Sequence, residues 1–191
     1  KKKVNLKNKL YSGGTGNLID LNKDYIICLA HPDTRVGINN KNMIENLIKA
    51  ITKINIQTII LWPNIDGGSN FMSSYLRIFQ QTLPKKAPVN FYKNFSNDDY
   101  YRLLKKSKCL VGNSSSGIRE CSFLGVPVVN IGDRQEYRER GKNVLDVKPF
   151  ENEIIKAIKF QINKKYKKEN IYGDGKTSNR IIKILTNTKI E

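Results

Sequence analysis

The sequence predicts an α/β fold, a doubly wound Rossmann-like domain with helices on both faces of a parallel sheet. Two observations predict it: strand-length segments are apolar along their whole length, and amphipathic helix-like segments alternate with them. Strands of a parallel sheet are covered on both faces and therefore lack alternating polar positions. The predicted strands are Tyr25–Ala30, Thr58–Trp62, Val89–Tyr92, Cys109–Val111, Pro127–Ile131 and Val144–Val147.

The helices are predicted from the 3.6-residue period of apolar positions between these strands. Met43, Leu47 and Ile51 fall on one helical face after the first strand, and Leu76 and Phe79 repeat the period after the second. Sheets of this kind bind ligands beyond the carboxyl ends of their strands, so functional residues are expected directly after the strands. The predicted helices are Asn40–Ile54, a segment around Tyr75–Phe79, Asp98–Lys106, Phe150–Gln161 and Ser178–Leu185.

The composition fits one substantial core, with 39% hydrophobic residues among 191, and it carries a net charge of +17. Alone, this charge suggests nucleic acid or an anionic membrane as a partner. The lysines are spread over both ends and along the outer faces of helices, so we expect neither partner. A basic field also attracts phosphorylated small molecules. The apolar runs are too short to cross a bilayer, and we expect a cytoplasmic protein.

The first 23 residues are interpreted as a linker or lead-in segment, and residues 24–191 as one Rossmann-like domain. The lead-in contains Ser12–Gly16, which lacks the lysine of a phosphate-binding loop and an apolar strand before it. Cys28, Cys109 and Cys121 lie in apolar segments without CxxC spacing, which predicts buried free thiols. With one histidine and no cysteine cluster, no metal site is predicted.

The clearest anion-binding pattern follows the strand at Cys109, where three serines and a glycine lead into a predicted helix. Free N–H groups and the positive end of the helix dipole favour phosphate at such a position. Ser114, Ser115 and Ser116 can add hydroxyl donors, and Gly117 allows a close approach of the backbone. The alternative is that one serine only caps the helix.

Two charged residues are expected beside this serine loop. Glu120 lies three residues after Gly117, where a carboxylate suits the diol of a ribose, and a capping-box contact is the alternative. Arg134 follows the next strand and should reach the same edge of the sheet. Its planar guanidinium suits a diphosphate, because it can donate two parallel charged hydrogen bonds.

His31 is the only histidine and directly follows the first strand. That position is a ligand edge, whereas an isolated histidine also fits a structural role. Two further segments, Pro63–Ser69 and Ile171–Gly175, contain Gly and Asp residues that suit either a site or a simple turn.

Together these motifs resemble the C-terminal domain of the hydrolysing UDP-N-acetylglucosamine 2-epimerases, especially the branch that makes N-acetylmannosamine for sialic acid. They appear in family order and cover nearly everything from Asp24 to Leu185. The matching motifs are His31-Pro32, Pro63-Asn64-Ile65-Asp66 with Gly68-Ser69, Gly112-Asn113-Ser114-Ser115 with Gly117, Arg119 and Glu120, Gly125 with Pro127-Val128, Arg134-Gln135 with Arg138-Glu139, and Ile171-Tyr172-Gly173-Asp174-Gly175.

The resemblance implies the C-terminal half of a GT-B-like architecture, in which two Rossmann-like domains hold the substrate in the cleft between them. His31 would be a catalytic residue, and Phe95 would help to seat the uracil. Of the UDP-binding residues implied, Ser114, Ser115 and Gly117 would contact the diphosphate, Glu120 the ribose hydroxyls and Arg134 the phosphate side of the nucleotide. Further candidates for the substrate cleft are Asn64, Asp66, Asn113, Ser116 and Arg119.

The implied reaction removes the C2 proton of UDP-N-acetylglucosamine, expels UDP and adds water with inversion at C2. It needs a base and stabilised charge on the departing UDP, and it needs no metal or redox cofactor. In the family, an N-terminal domain of comparable size supplies the catalytic carboxylates, and this sequence lacks it. We therefore expect UDP binding with little turnover by the chain alone; a homo-oligomer would fit the family. Tyr137 departs from the family pattern, which usually has a small residue there.

Two other functions stay open. A glycosyltransferase of the same architecture would also use a serine loop and a ribose-binding glutamate, although His31-Pro32 and Arg134-Gln135 favour the epimerase. A noncatalytic module that binds a nucleotide or another anion would fit the net charge and the missing half.

Overall fold

Within the residues that the structure describes, the sheet contains seven strands. A computed structural model describes residues 13–35, 39–63 and 69–188 of the chain. The strands are β1 (Thr15–Gly16), β2 (Tyr25–Leu29), β3 (Gln57–Leu61), β4 (Val89–Tyr92), β5 (Cys109–Gly112), β6 (Val128–Ile131) and β7 (Val144–Val147). Every residue of β2, β4, β5 and β6 is buried, as expected for strands that are covered on both faces.

The strand order across the sheet is β1-β4-β3-β2-β5-β6-β7. The strands from β2 to β7 are all parallel, and only β1 runs antiparallel, beside β4. From β2 the chain winds outward through β3 to β4, then returns to the centre at β5 and winds the other way. This is the order of a doubly wound Rossmann-like sheet, and the predicted fold class is confirmed. Its switch point lies between β2 and β5.

Seven helices lie within the described residues and cover both faces of the sheet. The core on one face contains Met43 and Leu47 of the first helix, Leu76 of the second and Ile158 of the sixth. Leu103 of the third helix contributes to a second core on the other face. The helices are α1 (Asn40–Ile54), α2 (Ser69–Thr82), α3 (Asn97–Lys106), α4 (Ser115–Ile118), α5 (Glu120–Leu124), α6 (Glu151–Gln161) and α7 (Thr177–Asn187).

Two local features differ from the sequence prediction. The single helix expected after the serine loop is divided into α4 and α5 at Arg119, whose φ and ψ are −96° and −69°. The short β1 was not predicted. It forms because the backbone of Thr15–Gly16 pairs with Phe91 and Asn90, a contact that leaves no periodic pattern in the sequence. After it, Ile19 is buried in the second core, so this part of the lead-in packs on the domain.

The three cysteines are buried free thiols, as predicted. Burial raises the pKa of the Cys28 thiol to about 12, so it stays protonated near neutral pH. Within the described residues, no three His, Cys, Asp or Glu side chains are grouped so that they could hold a metal ion. In the same part of the chain, no helix has the length and apolarity needed to cross a membrane.

Helix α7 stands apart from the other long helices, because none of its residues is buried. Its large apolar side chains are instead strongly exposed. Ile181, Ile182, Ile184 and Leu185 have exposed fractions of 50%, 58%, 64% and 66%.

Gly112, the last residue of β5, is required by the backbone at the switch point. Its φ is +140°, and a Cβ there would collide with the carbonyl oxygen of Leu29 on β2. We expect Gly112→Ala to lower the free energy of unfolding by about 3 kcal/mol, because strain and steric overlap add. Urea denaturation would measure the loss.

Gly132→Ala is the matched control. Gly132 also has a positive φ, +70°, but no atom lies within 4 Å of its Cβ position. Only the left-handed backbone is then unfavourable, at a cost of about 1 kcal/mol. Equal losses for the two variants would contradict the close approach of β5 to β2.

Candidate functional site at the switch point

Asn113 joins the ends of the two central strands. Its Oδ1 accepts a hydrogen bond from the backbone N–H of His31 at 2.7 Å, and its Nδ2 donates to the carbonyl of His31 at 2.8 Å. Both residues are buried. The amide therefore satisfies both backbone groups of the residue that follows β2 by two positions, as a neighbouring strand would. The sequence-predicted His31 and Asn113 are brought together in this way.

The loop after β6 is tied to the same residue. The carbonyl of Asn113 accepts hydrogen bonds from Arg134 Nη1 at 3.2 Å and from Gln135 Nε2 at 2.8 Å. Arg134 Nε also donates to the carbonyl of Pro32 at 3.2 Å. Arg134 thus lies where the sequence places it, at the edge of the serine loop, and it links three loops. A cavity of about 130 Å³ borders it and Asn113.

Asp33 stabilises the loop after β2. Arg35 Nη2 donates to its carboxylate at 2.6 Å, and Arg35 Nη1 reaches Glu136 in the loop after β6 at 3.3 Å. Asn40 adds a reciprocal pair, accepting from Asp33 N and donating to Asp33 O, each at 2.8 Å. The hydrogen bond from the Arg35 side chain lowers the pKa of the Asp33 carboxyl, and the charges of Arg35 and Arg134 lower it further.

The serine loop has divided roles. Ser114 caps α4, since its Oγ accepts from the backbone N–H of Ser116 at 3.3 Å. Ser116 Oγ accepts from the hydroxyl of Tyr100 on α3 at 2.8 Å. Burial raises the pKa of the Tyr100 phenol, which keeps this donor protonated. Within the described residues, the Ser115 hydroxyl makes no hydrogen bond.

Gly117 has a packing reason for its small size. A Cβ there would lie 2.8 Å from Val128 Cγ1 on β6. The glycine therefore lets α4 lie close against the sheet, which is a structural requirement beside the predicted contact with a ligand.

Glu120 opens into a pocket of about 410 Å³ on the other side of the serine loop. Its carboxylate makes no hydrogen bond or ion pair among the described residues, and α5 has no side-chain cap, so the capping-box alternative is not formed. The pocket has aromatic and cationic walls around this carboxylate. They include Tyr101, Arg119, Phe123 and Tyr172, and Thr177 adds a hydroxyl group to the lining.

The turn at Ile171–Gly175 belongs to this pocket. The guanidinium Cζ of Arg119 lies 5.8 Å from the centre of the Tyr172 ring, a cation–π contact. The Tyr172 hydroxyl donates to the carbonyl of Glu139 at 2.8 Å, which ties the turn to the loop after β6. Arg119 and the Ile171–Gly175 motif are therefore close in space, although about fifty residues separate them.

Other predicted residues lie elsewhere. Phe95 packs against Tyr92, with ring centres 4.9 Å apart, and does not line the Glu120 pocket. Asn64 and Asp66 lie outside the described residues. Sequence reasoning missed Tyr100 and Tyr101. A signal was present, because Tyr100 shares a helical face with Leu103 and Leu104 and thus points toward the sheet.

A comparison with family models identifies the larger group. The fold is a doubly wound α/β domain in which His31, Asn113 and Arg134 come together at the switch point. A model described as UDP-N-acetylglucosamine 2-epimerase matches residues 3–186. The chain belongs to this family.

Relatives and solved structures agree with this assignment. A protein of Legionella pneumophila named UDP-N,N'-diacetylbacillosamine 2-epimerase (hydrolyzing) is 34% identical over 167 residues, which are 87% of this chain and 43% of that protein. Polysialic acid biosynthesis protein P7 of Escherichia coli is 32% identical over 146 residues, 75% of this chain and 36% of that protein. The chain thus spans less than half the length of these relatives.

Among solved structures, the UDP-GlcNAc 2-epimerase of Methanocaldococcus jannaschii in complex with UDP-GlcNAc and UDP has a TM-score of 0.69. The superposition covers 98% of this chain and 49% of that one, at 18% identity. At this identity the match supports the fold.

The lowered pKa of Asp33 predicts a pH-dependent stability. A carboxyl with a lowered folded pKa stabilises the fold above its unfolded pKa, about 3.9, and this contribution is lost as the pH falls through the folded value. Asp33→Asn should therefore lower the free energy of unfolding by about 1 kcal/mol at pH 7, since Arg35 is partly exposed. Urea denaturation at neutral and at acidic pH would measure the difference in free energy of unfolding between this variant and the unsubstituted chain, which should become smaller in acid.

Asp133→Asn is the control, because Asp133 is exposed and its carboxylate has no hydrogen bond or ion pair among the described residues. A gap for Asp33→Asn that persists unchanged in acid would contradict the electrostatic explanation.

Proposed function

We propose that the chain is the nucleotide-binding half of a hydrolysing UDP-N-acetylglucosamine 2-epimerase. The observation that carries the proposal is the Glu120 carboxylate, which lies without a protein partner among the described residues in a pocket beside the serine loop. A buried or half-buried carboxylate usually has a partner in the protein. One that faces a pocket is available to accept hydrogen bonds from the two hydroxyls of a ribose.

The nucleoside would occupy the Glu120 pocket. Its volume of about 410 Å³ lies within the range of small-molecule sites. Tyr101 and Tyr172 offer aromatic faces for a uracil ring, and Phe95 remains a second candidate at the end of β4. Arg119 contributes positive charge and already stacks on Tyr172.

The diphosphate would lie along the serine loop. Ser114 and Ser115 would donate to it, with the backbone N–H groups around Gly117 and the charge of Arg134 on the other side. Arg134 and the serine loop are held by the protein itself: hydrogen bonds to the carbonyls of Pro32 and Asn113 hold Arg134, and Tyr100 holds Ser116 of the loop. Such a fixed set of donors can stabilise the charge that develops on UDP as it leaves.

The chemistry would be removal of the C2 proton, elimination of UDP and addition of water to the resulting double bond. His31 would act at the sugar end of the cleft, next to Asn113. Asn64, Asp66, Asn113 and Ser116 remain candidates for lining that cleft, and the reaction itself requires no metal or redox cofactor. The carboxylates that act on C2 are proposed to belong to a second domain, as the resemblance implies.

The exposed face of α7 supports a partner domain. Four large apolar side chains of one helix are at least half exposed, which is unfavourable in water. Covering them with another domain would be favourable by about 25 cal/mol for each Å² of apolar surface removed from water. The relatives, which are more than twice as long as their matched regions, have room for such a domain. A homo-oligomer and a cytoplasmic location remain part of the proposal.

The sugar is proposed to carry at least one N-acetyl group. The E. coli relative is named for polysialic acid biosynthesis, which agrees with UDP-N-acetylglucosamine as substrate and N-acetylmannosamine as product. The Legionella relative is named for UDP-N,N'-diacetylbacillosamine, so the diacetamido sugar is the second candidate.

UDP binding is the first test. By calorimetry, UDP should bind more tightly than ADP, and Glu120→Ala should weaken UDP at least about tenfold, because a charged hydrogen-bond acceptor contributes about 1.5–3 kcal/mol. Glu45→Ala is the matched control, since Glu45 lies on α1 and has no hydrogen bond or ion pair among the described residues. Equal binding of ADP and UDP would contradict a uridine pocket at Glu120.

Turnover is the second test. We expect a chimera of this chain with the N-terminal half of the Legionella relative to release UDP from an N-acetylated UDP-sugar without an acceptor. His31→Gln should lower the rate about 100-fold or more while leaving UDP affinity nearly unchanged, as expected for a residue that acts on the sugar. UDP release that requires an acceptor sugar would support the glycosyltransferase alternative, and loss of both rate and affinity would assign His31 a structural role.

A further inference from the structure

A second cavity lies at the carboxyl ends of β3 and β4, away from the serine loop. It has a volume of about 800 Å³ and forms where β3 and β4 end, between these strands and α2. It shares no described lining residue with the Glu120 pocket or with the cavity beside Arg134. None of its described lining residues has a part in the proposed epimerase function.

One wall of this cavity is aromatic. Trp62, directly after β3, is half-buried, and its ring centre lies 6.0 Å from that of Phe91 on β4. Phe91 in turn makes an edge contact with Phe79 on α2, with ring centres 5.9 Å apart, so the wall is continuous with the core. The backbone N–H of Trp62 donates a hydrogen bond to the carbonyl of Tyr92, which fixes the position of the Trp62 backbone at the end of β4. The indole N–H itself has no hydrogen bond among the described residues.

Two cationic side chains line the same cavity. Arg77 on α2 and Lys93 after β4 line it, and neither makes an ion pair or hydrogen bond in the described part of the chain. Gln80 and Asn94 add amide groups that are equally unpaired there. No described lining residue is acidic. Two positive charges and several hydrogen-bond donors therefore share one cavity with an aromatic surface.

We infer that the cavity at Trp62 binds a planar aromatic ligand that carries an anionic group, as an aryl phosphate does. The ring would stack on Trp62, and the anion would be held by Arg77 and Lys93, since no described lining residue supplies a carboxylate that would compete for their charges. The volume is within the range of small-molecule sites, and an aromatic wall with convergent polar groups occurs in such sites.

Trp62 makes this inference directly measurable, because it is the only tryptophan in the chain. The indole N–H gives a single resonance in a ¹H–¹⁵N spectrum, which reports on this cavity alone. Phenyl phosphate should shift that resonance saturably at concentrations up to about 10 mM, a range that detects even weak binding. Inorganic phosphate and benzyl alcohol, each with half of the required chemistry, should bind at least about tenfold more weakly.

The double variant Arg77→Gln with Lys93→Gln should weaken phenyl phosphate at least about tenfold, since it removes both charged contacts. Arg102→Gln with Lys156→Gln is the control. Both residues are exposed and unpaired among the described residues, and their replacement lowers the net charge equally. Glu120→Ala should leave the shift of the Trp62 indole resonance with phenyl phosphate unchanged, which would show that this site is independent of UDP binding.

Three results would overturn the inference. One is an indole resonance that does not move with phenyl phosphate. The second is equal weakening by the two double variants, which would mean that the general basic field alone attracts the anion. The third is binding of inorganic phosphate or benzyl alcohol as strongly as phenyl phosphate, which would remove the requirement for both features.

Discussion

The close approach of the paired strands β2 and β5 at their carboxyl ends is the constraint on which the rest of the structure depends. Gly112 has the left-handed backbone and the absent side chain that let β5 pass the carbonyl of Leu29. One residue later, the Asn113 side chain takes up both backbone groups of His31. Because the Asn113 carbonyl also holds Arg134 and Gln135, a single residue fixes the loops after three strands. A doubly wound sheet always opens a crevice at this point. Here the crevice is braced by hydrogen bonds that are buried and therefore costly to break.

The same bracing separates residues that shape the site from residues that can bind a ligand. Asn113 and Gln135 are buried, and Gln135 donates to the Asn113 carbonyl, so they are best understood as framework. Glu120 and the Ser115 hydroxyl have no partner within the described residues, although they belong to the same segment. Donors and acceptors that are held in place and have no partner in the protein lose no protein hydrogen bond and little conformational freedom when a ligand binds. This contrast, rather than the presence of serines alone, distinguishes the serine loop from an ordinary helix cap.

The sequence was sufficient to predict the main strands and helices and the positions of some of the candidate site residues. Mostly apolar segments predicted the six parallel strands closely, and the pattern is clearest for β2, β4, β5 and β6, in which every residue is buried. Glu120 and Arg134 were predicted to lie beside the serine loop, since each follows a strand of known direction. The partner of Ser116 was not predicted, because Tyr100 reaches it from another helix. Phe95 illustrates the same limit: its ring packs on Tyr92, a neighbour that strand order alone does not specify.

The charge of the chain acquires a more specific meaning at the carboxyl edge. A net charge of +17 spread over the surface attracts any anion without selecting one, since such interactions are screened within about 10 Å at ordinary salt. Selection requires cations beside surfaces that recognise the rest of the ligand. Arg119 on Tyr172 and Arg77 in the cavity with Trp62 are two such places, in separate pockets. The general field then raises the local concentration of anionic ligands, while aromatic faces and the single carboxylate of Glu120 decide which of them stay bound.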